Sequence, residues 1–428
     1  MTTPVREARM GTYAIVIVAL CVGINMIDGY DILAVAYTSP AFAREWALGP
    51  ERIGFLLSAG LAGIGLGALV FSFVADTIGR RPVILICITL MTVGMVSTAF
   101  SESLTFMACC RVLTGLGIGG MAPAAGTLAM EYSPPSRRTL SVALVVIGYP
   151  VGATLGGYVA NALLAHLGWR SVFAFGGLLS LLLMPLLVWR MPESLEFLTD
   201  RQPRNALAKI NRYRARLGLE AAMALPAASD GARTNGRLGD LARPPLLRAT
   251  IVLCVAYAFF MFSFYFILNW ATKLITDMGL TDAAGVSIST LMNLGGIAGG
   301  LLLGLLSMRV PLKGLAIGVV LLMSVAIASF GSLPADVMLL GAASIVLGFV
   351  MWAGSASAYS MIALSYPPRV RASGIGLVIT VGRAGSMLGP YTAGVLLEAG
   401  MGRGELTLLL AVPAALCAVL FAFVRPGA

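Results

Sequence analysis

Charge is scarce in this chain of 428 residues: Asp, Glu, Lys and Arg together make up 11%, against 58% hydrophobic. A soluble domain draws about a quarter of its residues from those four types, so an ordinary globular protein is excluded before any motif is weighed. Histidine is scarcer still. His166 stands alone in a predicted outer loop, and one imidazole with scattered acids provides neither a metal cluster nor a nucleophile and its base. The six cysteines, Cys21, Cys87, Cys109, Cys110, Cys254 and Cys417, fall inside apolar runs without metal-ligand or disulfide-framework spacing. They read as small core hydrophobes. An enzyme is set aside on these grounds, and no cofactor or metal is expected.

Apolar runs of spanning length are abundant. Stretches of about twenty apolar residues begin near Thr12, Ile53, Pro82, Leu104, Thr139, Trp169, Leu247, Ala283, Leu312, Ala335, Ala372 and Leu406. They predict an all-α membrane protein of twelve transmembrane helices in two groups of six. The first run is itself long enough to span, so no cleavable leader is expected.

The net charge of +10 raises the possibility of nucleic acid, but its distribution points to a lipid bilayer. Arg6 and Arg9, Arg80 and Arg81, Arg137 and Arg138, the central polar segment, Arg309 and Lys313, Arg369 and Arg371, and Arg425 all fall on one predicted side. By the positive-inside rule that side is cytoplasmic, with both termini on it. A basic linker over residues 192–246 separates an N-terminal bundle, 1–191, from a C-terminal one, 247–428. Its Lys and Arg residues suit anionic headgroups.

The halves resemble each other in the same orientation. Laying Pro134 on Pro367, 233 residues on, also matches Gly152 with Gly385, Gly156 with Gly389 and Tyr158 with Tyr391, and sets "LAGIGLG" (61–67) on "LGGIAGG" (294–300). Two parallel six-helix repeats with a substrate site between them near the midplane are expected. A monomer suffices, since each chain contains both halves. The glycine-rich strings read as helix-packing seams.

An ionisable residue at bilayer depth costs roughly 2.5–3.5 kcal/mol on insertion scales, so by default it marks a functional site or a buried pair. In the first half these residues are Asp28 and Asp31 in the first span, Arg111 in the fourth and, near the cytoplasmic ends, Asp76 and Glu131; the second half offers Arg383. Asp28 and Asp31 are three apart and share a helix face. Two nearby carboxylates in a low dielectric do not readily ionise together, which suits a proton carrier; the alternative is that one of them pairs with Arg111. A guanidinium binds a carboxylate through two hydrogen bonds. Arg111 and Arg383 are therefore candidates for a substrate anion, against a permanent salt bridge for Arg111 and a gate or helix anchor for Arg383. "ADTIGRRP" places Asp76, Gly79, Arg80 and Arg81 in a tight turn that would serve as a conformational latch or simply set topology. Glu131 would carry protons with the aspartate pair or join that latch.

The seventh span, "YAFFMFSFYFILNW", is crowded with aromatics. Most would face lipid or neighbouring helices, but Tyr265, Asn269 and Trp270, with Trp352, Tyr359, Tyr30 and Tyr37, are candidates for ring stacking and polar contact with a flat substrate.

The twelve-span plan and "ADTIGRRP" resemble the major facilitator superfamily over nearly the whole chain. Within it, "DGYD", "RVLTGLGIGGMAP", "PES" and "RASGIGLVITVGRAGSMLGP" are together similar to the aromatic acid:proton symporters. Members of that family carry an Asp-Gly-aromatic-Asp motif in the first helix and import benzoate-like acids across bacterial inner membranes. The resemblance implies that Asp28 and Asp31 are the essential pair, Asp76 the loop acid, Arg111 and Glu131 the helix-four charges, and Arg371 and Arg383 the later arginines. One departure is "MRVPLKGL", which has lost the acid and glycine of the matching "ADTIGRRP". The expected function is proton-coupled import of a small aromatic carboxylate. Its rivals are a drug or metabolite:proton antiporter, because "GYPVGATLGGY" approaches the antiporter pattern with Ala153 in place of its proline, and a symporter of another organic acid.

Overall fold

A computed structural model of the protein describes residues 10–225, 238–241, 243–244, 246–307, 309–367 and 370–424. Arg6, Arg9, Arg369, Arg425 and linker residues 226–237 lie outside the described residues.

Among the described residues every regular element is a helix, the solution that satisfies all backbone polar groups within one segment. In order these are α1 (Thr12–Glu45), α2 (Pro50–Ile78), α3 (Arg80–Ala99), α4 (Leu104–Glu131), α5 (Arg138–Leu167, after a 3-10 turn), α6 (Trp169–Arg190), α7 (Leu195–Arg201), α8 (Ala206–Arg216), α9 (Leu238–Leu241), α10 (Leu246–Thr276), α11 (Asp282–Leu306), α12 (Leu312–Phe330), α13 (Val337–Leu364), α14 (Arg371–Glu398) and α15 (Arg403–Phe423). Each predicted apolar run starts within three residues of one of the long helices. Among the described residues, eleven helices are long and apolar enough to cross a membrane. The remaining long helix, α14, carries Arg371 and Arg383 and many small residues. The helical pattern expected in the linker is α7 and α8.

Local chemistry sets the boundaries. The Oγ atoms of Ser103, Ser194 and Thr281 and the carboxylate of Asp336 accept backbone N–H groups at the starts of α4, α7, α11 and α13, the usual satisfaction of first-turn donors. Gly79 joins α2 to α3 at φ 103°, ψ 165°, a conformation available essentially to glycine alone.

The long helices pack in matching pairs: α1 on α5 and α10 on α14, α2 on α4 and α11 on α13, α3 on α6 and α12 on α15. Contacts between the first and second groups run chiefly through α2 with α14 and α5 with α11. Glycines form the seams. A Cβ on Gly63 or Gly67 would strike the carbonyls of Val112 or Leu116, and on Gly295 or Gly299 those of Ile345 or Phe349. The seam glycines of α2 therefore correspond to residues 232 further on, one fewer than the 233 expected for "LAGIGLG". Glycine stands at adjacent positions of the second segment, so the offset of 233 also aligns Gly63 with Gly296 and Gly67 with Gly300. Cys109 is a second correction. It is exposed, whereas Cys21, Cys87, Cys110 and Cys417 are buried and Cys254 is partly so.

Candidate functional site

The first helix carries its two aspartates fully inside the protein. Asp28 and Asp31 are each 1% exposed, yet their surroundings differ. Asp31 accepts a 2.9 Å bond from Nη1 of Arg111, itself 3% exposed. The other terminal nitrogen of Arg111 donates to Thr98 and Thr114, both at 3.0 Å, and the guanidinium lies 5.0 Å from the centre of the Phe173 ring. This ion pair joins α1 to α4 with the charges matched, although Oδ2 of Asp31 and Nε of Arg111 have no hydrogen-bond partner. A small void of about 30 Å³ beside it is lined by Asp31, Arg111, Thr114 and Asn269. Asp28 has no hydrogen-bond partner for either oxygen, although a buried acceptor nearly always has one.

Close helix approach fixes what stands next to Asp28. A Cβ on Gly29 would overlap the Tyr149 carbonyl, and one on Gly152 the Met26 carbonyl, so α1 and α5 cross in backbone contact at this level. Tyr149 borders a cavity of about 220 Å³ between the two groups of helices. Asn25 (α1) lines it from the first group, and Tyr257 and Tyr265 (α10), Trp352 (α13) and Arg383 (α14) from the second. Phe264 connects the rings: it meets Tyr265 at 5.4 Å and Trp352 at 5.5 Å between centroids. Arg383 reaches the Tyr265 hydroxyl only at 3.5 Å, and its Nε has no partner. The cavity therefore offers one incompletely bonded cation against an aromatic wall, the surroundings that suit a small anionic ring.

Several residues expected at the site lie elsewhere. Trp270 is completely buried and donates from Nε1 to the Pro390 carbonyl at 2.9 Å, tying α10 to α14 instead of lining the cavity. Tyr30 donates to the Val172 carbonyl at 2.6 Å and borders an apolar groove between α1, α5 and α6. Tyr37 bonds the Ala153 carbonyl at 3.1 Å. Tyr359 is 49% exposed and does not border the cavity. Asn269 belongs to the void by the ion pair, with its amide on the Tyr265 carbonyl. Trp270, Tyr30, Tyr37 and Tyr359 have the residue type for ring contact, but helix rotation points them away.

Glu131 lies at the linker side, as its latch alternative has it. Its carboxylate accepts from Ser194 Oγ at 2.7 Å and from the Leu195 and Glu196 amides at 2.7 and 3.4 Å, capping α7 at the end of α4 that faces the linker. That bonding gives it a structural task away from Asp28 and Asp31. Glu193 of "PES" caps α3 in the same way, accepting the Arg80 and Arg81 amides at 2.7 and 3.2 Å. In the adjoining turn Arg80 pairs with Asp76 at 3.1 Å, Arg81 donates to the Val188 carbonyl at 2.6 Å, and Arg201 donates to the Asp76 carbonyl at 3.1 Å. Arg371, at the matching end of α14, donates to the Tyr366 carbonyl at 3.3 Å.

At the opposite end, the groups of helices are joined. Arg44 of α1 forms a two-bonded ion pair with Asp282 of α11. Glu398 of α14 accepts the Glu51 amide at 3.3 Å, Ser58 donates to the Met387 carbonyl at 2.7 Å, and Asn161 donates to Ser287 at 3.1 Å.

The sequence profile of the Major Facilitator Superfamily matches residues 18–390. The chain belongs to the Major Facilitator Superfamily. Within it the chain falls in the aromatic acid:proton symporter family, and it is a transporter rather than an enzyme. It is 32% identical to the gallate transporter of Pseudomonas putida, over 95% of this chain and 90% of that protein. It is 27% identical to the 4-hydroxybenzoate transporter PcaK of Acinetobacter baylyi, over 97% and 92% respectively. The crystal structure of a D-xylose-proton symporter superposes with a TM-score of 0.75 at 16% identity, covering 97% of this chain and 99% of that one, so the two share a fold.

Sequence reasoning missed Asn25, Tyr149 and Tyr257. The signal for Asn25 was available: it precedes Asp28 by three residues and so shares its face. Tyr149 lies in a segment read only for its glycines, and Tyr257 was counted within an aromatic run without being singled out.

Proposed function

We propose that this protein is a proton-coupled importer of a small aromatic carboxylate across a bacterial inner membrane. The observation that carries the reading is the cavity between the two groups of helices, where Arg383 faces aromatic rings with its bonding capacity unfilled. The substrate carboxylate pairs with Arg383 and its ring packs on Trp352, Tyr265 and Phe264. The named substrates of the two relatives, gallate and 4-hydroxybenzoate, support this substrate class.

The chain crosses the bilayer twelve times, with α14 as the span that carries the binding arginine. Its two six-helix repeats, 1–191 and 247–428, are joined by the linker of residues 192–246. The paired packing of α1–α6 and α10–α15 and the recurring glycine seams support this layout. The linker side is cytoplasmic by its excess of Lys and Arg. The opposite side is closed by Arg44–Asp282 and the α2–α14 contacts, and the halves rock about the cavity to open it. Asp76, Gly79, Arg80, Arg81 and Arg371 form the inner-side gate region, reinforced by Glu193. The protein acts as a monomer without a cofactor, drawing on the proton gradient.

Asp28 carries the proton, because it is enclosed without a partner next to the helix crossing that borders the cavity. Asp31 and Arg111 form its fixed neighbour, a charge pair that holds α1 against α4. Coupling is needed because a carboxylate enters against the inside-negative potential, worth roughly 2.3 kcal/mol per charge per 100 mV.

Uptake of radiolabelled benzoate and 4-hydroxybenzoate into cells producing the protein, with and without an uncoupler, tests the reading. Accumulation that collapses with the uncoupler and in Asp28→Asn is expected; accumulation indifferent to both refutes proton coupling.

A further inference from the structure

The groove between α1, α5 and α6 measures about 400 Å³ and opens sideways, at bilayer depth. Its floor is the stretch of α1 that flanks Asp28, from Gly23 to Tyr30, and its rim includes Leu182 of α6, which is 61% exposed. Tyr30 is the one polar side chain among the lining residues, and its hydroxyl is already bonded to the Val172 carbonyl. No side chain is left there to bond a polar ligand, so the chemistry of the groove selects hydrocarbon. An apolar cavity of roughly 150 Å³ takes up benzene, and this one is larger and elongated. Along α6 it runs from Phe175 to Leu186, about 16 Å at the helical rise per residue. That is close to half of a hydrocarbon core of ~30 Å, the depth of one leaflet.

The stripe on α6 continues beyond the groove. Phe175, Leu179, Leu182 and Leu186 recur every three or four residues, and Arg190 is the next member of the series, so it shares their face. Arg190 is exposed at the linker-side end of α6, with its guanidinium 4.2 Å from the centre of the exposed Trp189 ring. An amphipathic ring and a cation at a helix end belong at headgroup level. Arg137 and Arg138, exposed at the start of α5, add positive charge at the same end of the bundle, and such clusters attract anionic headgroups.

We propose that this groove is a binding site for an anionic phospholipid of the linker-side leaflet, with one acyl chain lying in the groove against α1 and the phosphate held at Arg190. The hydrocarbon supplies the dispersion contacts that an empty groove forfeits, and the guanidinium bonds the phosphate. The site is independent of the acid that the transporter carries. Gly152, which lets α5 touch Met26 of α1, also lines the groove. The bound chain therefore packs on the α1–α5 crossing, beside the turn that bears Asp28.

The test places the purified full chain in phosphatidylcholine nanodiscs that carry a small fraction of phosphatidylglycerol with a diazirine on its acyl chain, or of phosphatidylcholine labelled in the same way, and maps the photo-cross-links by mass spectrometry. With the phosphatidylglycerol probe, groove residues of α1 and α6 should be labelled about tenfold more than Leu322 of α12, which is 59% exposed on a face outside the groove; that preference corresponds to a tenfold difference in affinity. A Cβ on Gly23 meets nothing closer than Leu183 at 4.0 Å. Gly23→Leu therefore fills the groove without striking backbone, and should cut groove labelling about tenfold while leaving Leu322 unchanged. Arg190→Gln should bring the phosphatidylglycerol probe down to the level of the phosphatidylcholine probe. Equal labelling of the groove and Leu322 in the wild type overturns the site, as does groove labelling that survives Gly23→Leu. Equal labelling of the wild-type groove by the two probes overturns the anionic headgroup. Suppression of groove labelling by added benzoate assigns the groove to the aromatic acid and overturns the lipid. The wild-type comparisons decide even if a variant fails to fold.

Discussion

The two arginines among the apolar helices are treated in opposite ways. Arg111 is enclosed by Asp31, Thr98, Thr114 and the Phe173 ring. Arg383 borders a cavity with one long contact to Tyr265. The aspartates repeat the contrast: Asp31 is paired and Asp28 is not. So do the indoles, with Trp270 bonded to Pro390 and Trp352 unbonded. Residues of one chemical type thus divide into a more fully bonded set that holds helices together, although Oδ2 of Asp31 and Nε of Arg111 lack partners, and a set with few or no bonds near the cavity or the proton site. Bonding state, not residue type, separates structure from function in this membrane interior.

The strongest way to break that division is through the arginines. Arg111→Leu leaves Asp31 buried without its counter-charge and should destabilise the protein by about 3–5 kcal/mol, read as a lower melting temperature in detergent. Asp31→Asn combined with Arg111→Gln should recover much of the loss. Arg383→Leu should change the melting temperature little; equal destabilisation by both arginine variants would erase the distinction.

Binding should show the reverse order. Arg383→Gln removes a charge-assisted contact worth about 1.5–3 kcal/mol, so benzoate Kd should rise roughly tenfold to a hundredfold by calorimetry. The aspartates extend the comparison to energetics. Asp31→Asn leaves Arg111 unpaired and should be markedly less stable than Asp28→Asn, which is expected within about 1 kcal/mol of the wild type. Asp28→Asn should nevertheless abolish gradient-driven accumulation while exchange of labelled for unlabelled acid persists. The smallest effect concerns the indoles: Trp270→Phe breaks the bond to Pro390 and should cost about 1 kcal/mol of stability, whereas Trp352→Phe forfeits no such bond. Thermal unfolding of the two variants side by side checks this.

Helix positions, the family and the shortlist of charged residues were legible without coordinates. Long apolar runs dictate spanning helices because a bilayer leaves the backbone no other partner. Rare charges within those runs mark themselves by their cost. "DGYD" accordingly drew attention to Asp28 and Asp31, and "VGRAGSMLGP" to Arg383. Sequence spacing placed the aspartates on one face but could not say which one Arg111 would neutralise. That choice depends on the distance between α1 and α4, set by side chains far apart in the chain.

Rotation and depth were decided by packing. Trp270 and Trp352 are both tryptophans in apolar helices, yet one is turned to a carbonyl and the other to the cavity. Glu131 is open by position between the proton pathway and the latch on the cytoplasmic side, and the fold brings the start of α7 to it. Tyr149 acquires its place because Gly29 and Gly152 let α1 and α5 touch. Hydropathy and charge are properties of each residue and survive translation into sequence; the pairing of donors with acceptors is a property of neighbours, and only the folded chain supplies them.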